Sequence, residues 1–197
     1  MNIAVFASHG GSDMQAIIDG CKSNKINANV VAVISNNETS MALERARIEQ
    51  IPCYHLSAKK FGSEDALAKE ILCVLSNHKV DMVFLAGYMR MLHHSILEKY
   101  HNRVFNIHPA LLPKFGGKGM YGLNVHKAVI KANESETGVT IHRVNAEYDS
   151  GEIVAQAKVS VSKNDTPERL AERVLEKEHE FLVEVISDIV NGKIVLG

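Results

Sequence analysis

Short apolar runs alternate with amphipathic stretches along the first hundred residues, and few folds accommodate that alternation. Residues 2–7 are apolar and stop at Ser8-His9-Gly10-Gly11-Ser12, after which Met14, Ile17, Ile18 and Cys21 recur at helical spacing. Residues 30–34, 53–56, 81–86 and 103–107 repeat the buried-strand pattern, and residues 41–50, 64–75 and 95–100 read as helices between them. Parallel strands need crossover connections, so strand and helix in alternation imply an α/β fold: a mostly parallel central sheet with helices on both faces.

Beyond this unit the pattern changes. Residues 109–122 are rich in Pro, Gly and Lys and read as a long loop. Residues 137–144 and 153–161 are rich in Val, Ile and Thr and are joined through Asp149-Ser150-Gly151, a turn signal suited to a hairpin-like connection. After Asp165-Thr166-Pro167 one long amphipathic helix runs to about residue 190. With 197 residues and neither linker nor repeat, one domain over 1–197 is expected.

Composition excludes several function classes. A net charge of -1 gives no bulk attraction to polyanions, so a nucleic-acid partner is not indicated. The longest apolar runs, such as 82–86, are strand-sized, and no secretory signal opens the chain, so a cytoplasmic protein without a membrane partner is expected. Cys21, Cys53 and Cys73 are odd in number, widely spaced and without a CxxC pair. That argues against a disulfide framework and a thiolate metal site, and all three read as buried thiols.

Two stretches carry candidate chemistry. Gly10, Gly11 and Ser12 lie between the first strand and first helix, where backbone N–H groups and the helix dipole can hold an anion. An ordinary turn with Ser12 as N-cap explains the same residues. The pattern is not GxGxxG, and the second strand ends in Ser35-Asn36-Asn37 with no acidic residue for a nicotinamide-cofactor ribose. Asn106 and His108 alternate on one face of a strand that Pro109 must end, placing both at its carboxyl edge, where open sheets bind ligands. There they can stabilise the oxyanion of an acyl transfer, or simply end the strand by bonding loop backbone.

The run Phe105-Asn106-Ile107-His108-Pro109-Ala110-Leu111-Leu112-Pro113 resembles the signature of the folate-dependent formyltransferases. The opening Asn2-Ile3-Ala4-Val5, Gly11-Ser12 and Leu85-Ala86-Gly87-Tyr88-Met89-Arg90 resemble the branch that formylates 5-phosphoribosylglycinamide in purine biosynthesis, and the similarity covers roughly residues 1–190. This resemblance implies a Rossmann-like formyltransferase fold, 10-formyltetrahydrofolate as donor, no metal, a monomer or homodimer, and a cis peptide at Leu112-Pro113. It also implies a catalytic centre of Asn106, His108 and Asp149, with His142 in support. Gly10, Gly11, Ser12 and Asp13 would hold the phosphate, with Pro109 beside the substrate. Met89, Arg90, Met91 and Leu92 would line the pterin pocket, closed by Asn145, Ala146, Glu147 and Tyr148. Asp149 beside His108 is expected to raise the imidazole pKa.

The last helix offers a separate clue. Leu175, Leu182, Val185 and Ile189 form an apolar stripe that Glu178 interrupts. A carboxylate there needs a basic partner or ligand hydroxyls, and the resemblance points to a substrate ribose. Three features depart from the family pattern: Asp13 stands where many members have Asn, Glu64 and Asp65 stand where some have an Arg near the folate tail, and 116–122 is Gly-rich and long. Lys114 or Lys118 can approach the phosphate from that loop. A formyl-folate hydrolase and a non-catalytic folate- or phosphate-binding module are the alternatives.

Overall fold

The computed structural model describes residues 1–196. Seven strands form one sheet in the order β3-β2-β1-β4-β5-β6-β7. The strands are β1 (Asn2–Phe6), β2 (Asn29–Ser35), β3 (Cys53–His55), β4 (Met82–Leu85), β5 (Val104–His108), β6 (Glu136–Arg143) and β7 (Ile153–Ser160). The first five pair in parallel, while β5 with β6 and β6 with β7 pair antiparallel. The helices are α1 (Ser12–Lys22), α2 (Met41–Ile48), α3 (Ala58–Phe61), α4 (Glu64–Asn77), α5 (His94–Lys99), α6 (Leu123–Lys131) and α7 (Pro167–Val190).

Side chains of the central strands divide between two cores, as the period of two requires. Ile3, Val5, Phe84 and Phe105 join the apolar faces of α1, α2 and α7, whereas Ala4, Phe6, Val83 and Val104 meet α4 and α5. Coverage of both faces is why these strands read as unbroken apolar runs, and each fully buried Phe contributes about 1.5–3 kcal/mol relative to exposure. Thr166 caps α7 by accepting from the Arg169 amide, with Pro167 at the position where its missing N–H costs nothing.

This order places a topological switch between β1 and β4, where connections leave toward opposite faces and a crevice opens at the carboxyl ends. Ser8 joins the two loops there: its N–H donates to the Gly87 carbonyl at 3.0 Å, and its hydroxyl accepts from the Met89 N–H at 2.8 Å. The Leu112-Pro113 bond is cis, as expected.

Three features differ from the sequence reading. The short α3 and the nine-residue α6 were not anticipated, because α6 buries only Val125, His126 and Val129, and a histidine at a core position breaks the apolar period. The thiols are not sequestered: Cys21 and Cys53 are half-buried and Cys73 is exposed. Leu175 does not continue the buried stripe of α7 but is 36% exposed, because the helix there passes the mouth of the crevice.

Candidate active site

A cleft of about 740 Å³ occupies the carboxyl edge of β4 and β5, walled by the 117–122 loop, the β6–β7 connection and α7. A shallower hollow of about 880 Å³ beside α4 and α5 contains none of the candidate residues. Asn106, His108 and Pro109 reach the cleft from the end of β5, His142 from β6 and Asp149 from the turn after it.

Asp149 is the hub. Its backbone is left-handed, with φ 53°, a conformation tolerable for Asp and one that turns the carboxylate inward toward both histidines. Oδ2 accepts from the Gly117 N–H at 2.9 Å and lies 3.6 Å from His108 Nδ1. Oδ1 lies 3.5 Å from both the Asn106 amide nitrogen and His142 Nε2. Gly151 permits this turn, since a Cβ there would fall 1.8 Å from the Arg143 carbonyl oxygen.

Carbonyl oxygens can only accept, which identifies ring tautomers. His108 Nε2 is 2.8 Å from the Phe115 carbonyl, so Nε2 carries the proton and Nδ1 faces Asp149. His142 Nδ1 is 2.9 Å from the Arg143 carbonyl, leaving Nε2 to accept from the Asn106 amide at 3.0 Å.

The electrostatics partly reverse an expectation. Burial lowers the His108 pKa and outweighs Asp149 and the Phe115 carbonyl, which both raise it, so the net shift is downward rather than upward. For Asp149, burial pushes the carboxyl up, but His142, whose Nε2 can donate to it once the ring is protonated, His108 and the Gly117 N–H together bring it below its ordinary value. The carboxylate is therefore charged across the neutral range.

A second acidic pair lies on the opposite wall. Glu178 is 7% exposed, makes no hydrogen bond to the described residues and faces Asp13 rather than a cation. Burial first, then Asp13, raises its pKa well above the carboxylate range. Burial also raises Asp13 to about 6, opposed by His179, whose Nε2 stands 3.5 Å from Oδ1. The basic partner considered for Glu178 is thus absent among the described residues, and its carboxyl faces the cleft.

The phosphate loop is less convergent. Gly11, at φ 72°, is the N-cap of α1 with no side-chain cap, and Ser12 is the first helical residue rather than the cap. A Cβ on Gly11 would come within 2.9 Å of the Ala42 backbone, so only glycine brings the loop this close to α2. Gly10, Gly11 and Ser12 do not line the cleft; His9 and Asp13 form its edge beside them. Met89, Arg90, Met91 and Leu92 line it, with Met89 and Met91 exposed and Leu92 buried. Asn145, Glu147 and Tyr148 do as well, whereas Ala146 does not. Lys114 pairs with Glu134 at 2.8 Å, away from the cleft, while Lys118 lines it.

Several lining residues escaped the sequence reading. His9, Tyr88 and His126 belong to it, and His126 is 4% exposed with its Nδ1 unpartnered. Burial and the neighbouring His108 both push its pKa down. The only sequence signal for it is a histidine three positions after Leu123, visible once α6 is recognised.

A covered α/β sheet with an amide donor, an imidazole and a carboxylate meeting at its switch-point crevice defines an α/β protein equipped for acyl-group chemistry. The particular family follows from comparison with known proteins: a model described as formyl transferase matches residues 1–186, and the chain belongs to that family. The chain is 44% identical over 193 residues to the chloroplastic phosphoribosylglycinamide formyltransferase of Arabidopsis thaliana, covering 98% of this chain and 66% of that protein. It is 39% identical over 194 residues to the phosphoribosylglycinamide formyltransferase of Escherichia coli (strain K12), covering 98% and 89%. It therefore spans just under two thirds of the plant relative. The solved structure of glycinamide ribonucleotide transformylase 1 from Symbiobacterium toebii matches with a TM-score of 0.92 at 36% identity, covering 100% of this chain and 91% of that one.

Proposed function

We propose that the chain, as one catalytic domain in the cytoplasm, transfers a formyl group from 10-formyltetrahydrofolate to the amine of 5-phosphoribosylglycinamide. The observation that carries this reading is the meeting of Asn106, His108 and Asp149 at the cleft, in a family of formyl transferases. Relatives named for this reaction support the choice of substrates.

The reaction asks the site for donors to a developing oxyanion and a route for one proton. The neutral amine attacks the formyl carbon and a C–N bond forms as the carbonyl electrons move onto oxygen. Asn106 and His108 supply N–H donors, and growing negative charge beside His108 favours its protonated form. Asp149, ionised and in contact with both histidines, takes up the amine proton directly or through water. That proton then reaches the folate nitrogen as its bond to the formyl carbon breaks, releasing tetrahydrofolate.

Binding uses the remaining walls. Glu178 accepts from ribose hydroxyls, which explains a buried carboxyl without a cation. The 10–12 loop and the uncapped start of α1 bind phosphate, and burial holds the neighbouring Asp13 nearer neutrality than an ordinary carboxylate. The exposed Met89, Met91 and Tyr148 offer apolar surface to the flat pterin.

Incubation with both substrates followed by mass analysis tests the reading. A product heavier than the ribonucleotide by one formyl group supports it; free formate and unchanged ribonucleotide would establish a hydrolase instead.

A further inference from the structure

Two catalytic candidates depend on a segment whose side chains take no part. Phe115 has φ 57°, unusual for a bulky residue, and this backbone points its carbonyl at His108 Nε2, 2.8 Å away. Two residues on, the Gly117 N–H donates to Asp149 Oδ2 at 2.9 Å, with Gly117 at φ 95°. Between them Gly116 is tightly packed: a Cβ would meet Leu112 Cδ2 at 2.5 Å, a side-chain end that can turn aside, and Asp149 Cβ at 3.1 Å, so it would press the segment and Asp149 apart by a few tenths of an ångström. The segment is held from both sides. Phe115 packs on the apolar core, and Lys114 pairs with Glu134.

We propose that the backbone of residues 115–117 is a positioning element of the reaction, its Phe115 carbonyl and Gly117 amide clamping His108 and Asp149 against each other. The clamp selects the Nε2–H form of His108 and directs Nδ1 at the carboxylate, so a proton arriving at Nδ1 is shared with Asp149. Both ring nitrogens are then engaged. A substrate oxygen gains an N–H from His108 only by replacing the Phe115 carbonyl or Asp149, which couples substrate entry to movement of this segment. The inference rests on the formyl-transfer reading for its kinetic consequence, though not for its geometry.

Charged and titratable groups around His108 set the expected direction of change. Asp149 faces it from the β6–β7 connection, His142 from β6 and His126 from α6, while Asp13 and Glu178 line the same cleft from α1 and α7. Of these neighbours and the loop, Asp149 and the Phe115 carbonyl favour the charged imidazole, whereas burial and His142 oppose it. Burial is the largest influence and holds the value down; a small displacement that removes the Phe115 carbonyl and loosens Asp149 while the ring stays buried takes away the favourable contributions, so His108 titrates at lower pH.

Gly116→Ala is the direct test, because its methyl group pushes the segment off Asp149; Gly117→Ala, which strains φ without a clash, is the second variant should the first not fold. The His108 ring, assigned by its loss in His108→Gln, is titrated by NMR in each folded protein. The midpoint should fall by about half a unit or more in the variant, and kcat should fall about 10-fold with KM changed less than about 3-fold. The alkaline limb of the kcat profile should move to lower pH with it. In the unaltered protein the Gly117 amide shift should follow the His108 titration with one midpoint. Unmoved His108 titration in a folded variant, or unrelated midpoints for Gly117 and His108, overturns the clamp. Absence of formyl transfer by the unaltered protein defeats the functional reading instead, and the NMR result still decides the clamp.

Discussion

Asn106 and His142 are register partners across β5 and β6, and the Asn106 amide nitrogen lies 3.0 Å from His142 Nε2. The histidine gives the amide its shorter hydrogen bond, the longer one running to Asp149 Oδ1 at 3.5 Å, and so does most to fix its orientation. Replacing it by Phe keeps a flat ring but removes the acceptor. His142→Phe should lower kcat about 10-fold, less than Asn106→Ala, which removes the donor itself and should cost about 10²–10³. Steady-state rates with thermal melts check this; an equal loss for both would place His142 in the chemistry.

Asp149→Asn isolates charge from geometry. Asn accepts the left-handed backbone at least as well as Asp, so the turn should persist, while loss of a carboxylate that the fold holds below its ordinary pKa should lower the melting temperature modestly at neutral pH. Without the carboxylate, the proton acceptor is gone and His108 loses the neighbour that most favours its charged form. The expected result is a fall in kcat of about 10² or more at an unchanged fold, measured by turnover and circular dichroism.

Glu178 should trade stability for binding. Its folded pKa is raised, so the folded state holds a proton that the unfolded state releases. That contribution is fully present below the unfolded value of about 4.5 and is lost as pH rises through the folded value. Glu178→Gln removes this penalty. The variant should be more stable at pH 8 by on the order of 1 kcal/mol, roughly 2–4 °C in Tm, while its affinity for the ribonucleotide falls. Calorimetric melts and titrations measure both; a less stable variant would contradict this account of the wall.

Asp13 carries a pH signature. Burial raises it to about 6, so its charge appears between pH 5 and 7 beside the proposed phosphate site. Phosphate's second ionisation also falls near pH 6, so the wild-type dependence is composite. Asp13→Asn separates them: ribonucleotide binding should weaken on going from pH 5 to pH 7 more in the wild type than in the variant. Isothermal titration across that range checks the difference.

Legibility followed the physical basis of each signal. Central strands buried on both faces gave unbroken apolar runs, and side-chain alternation with Pro109 placed Asn106 and His108 at the sheet edge. Glu178 stood out because a charge in an apolar stripe is costly. The same periodicity misassigned Leu175, since a stripe does not reveal where a helix leaves the core for a cleft. Phe115 and Gly117 act through main-chain groups that every residue possesses, so composition could show a Gly-rich loop but not its partners. The pKa direction of His108 depended on burial, a property of the assembled fold.

The most direct test follows tetrahydrofolate release from 10-formyltetrahydrofolate by absorbance, with and without 5-phosphoribosylglycinamide, for the wild type and folded His108→Ala. Release should require the ribonucleotide and fall by about 10²–10³ in the variant. Release without the ribonucleotide, or near-normal release by the variant, would contradict the assignment.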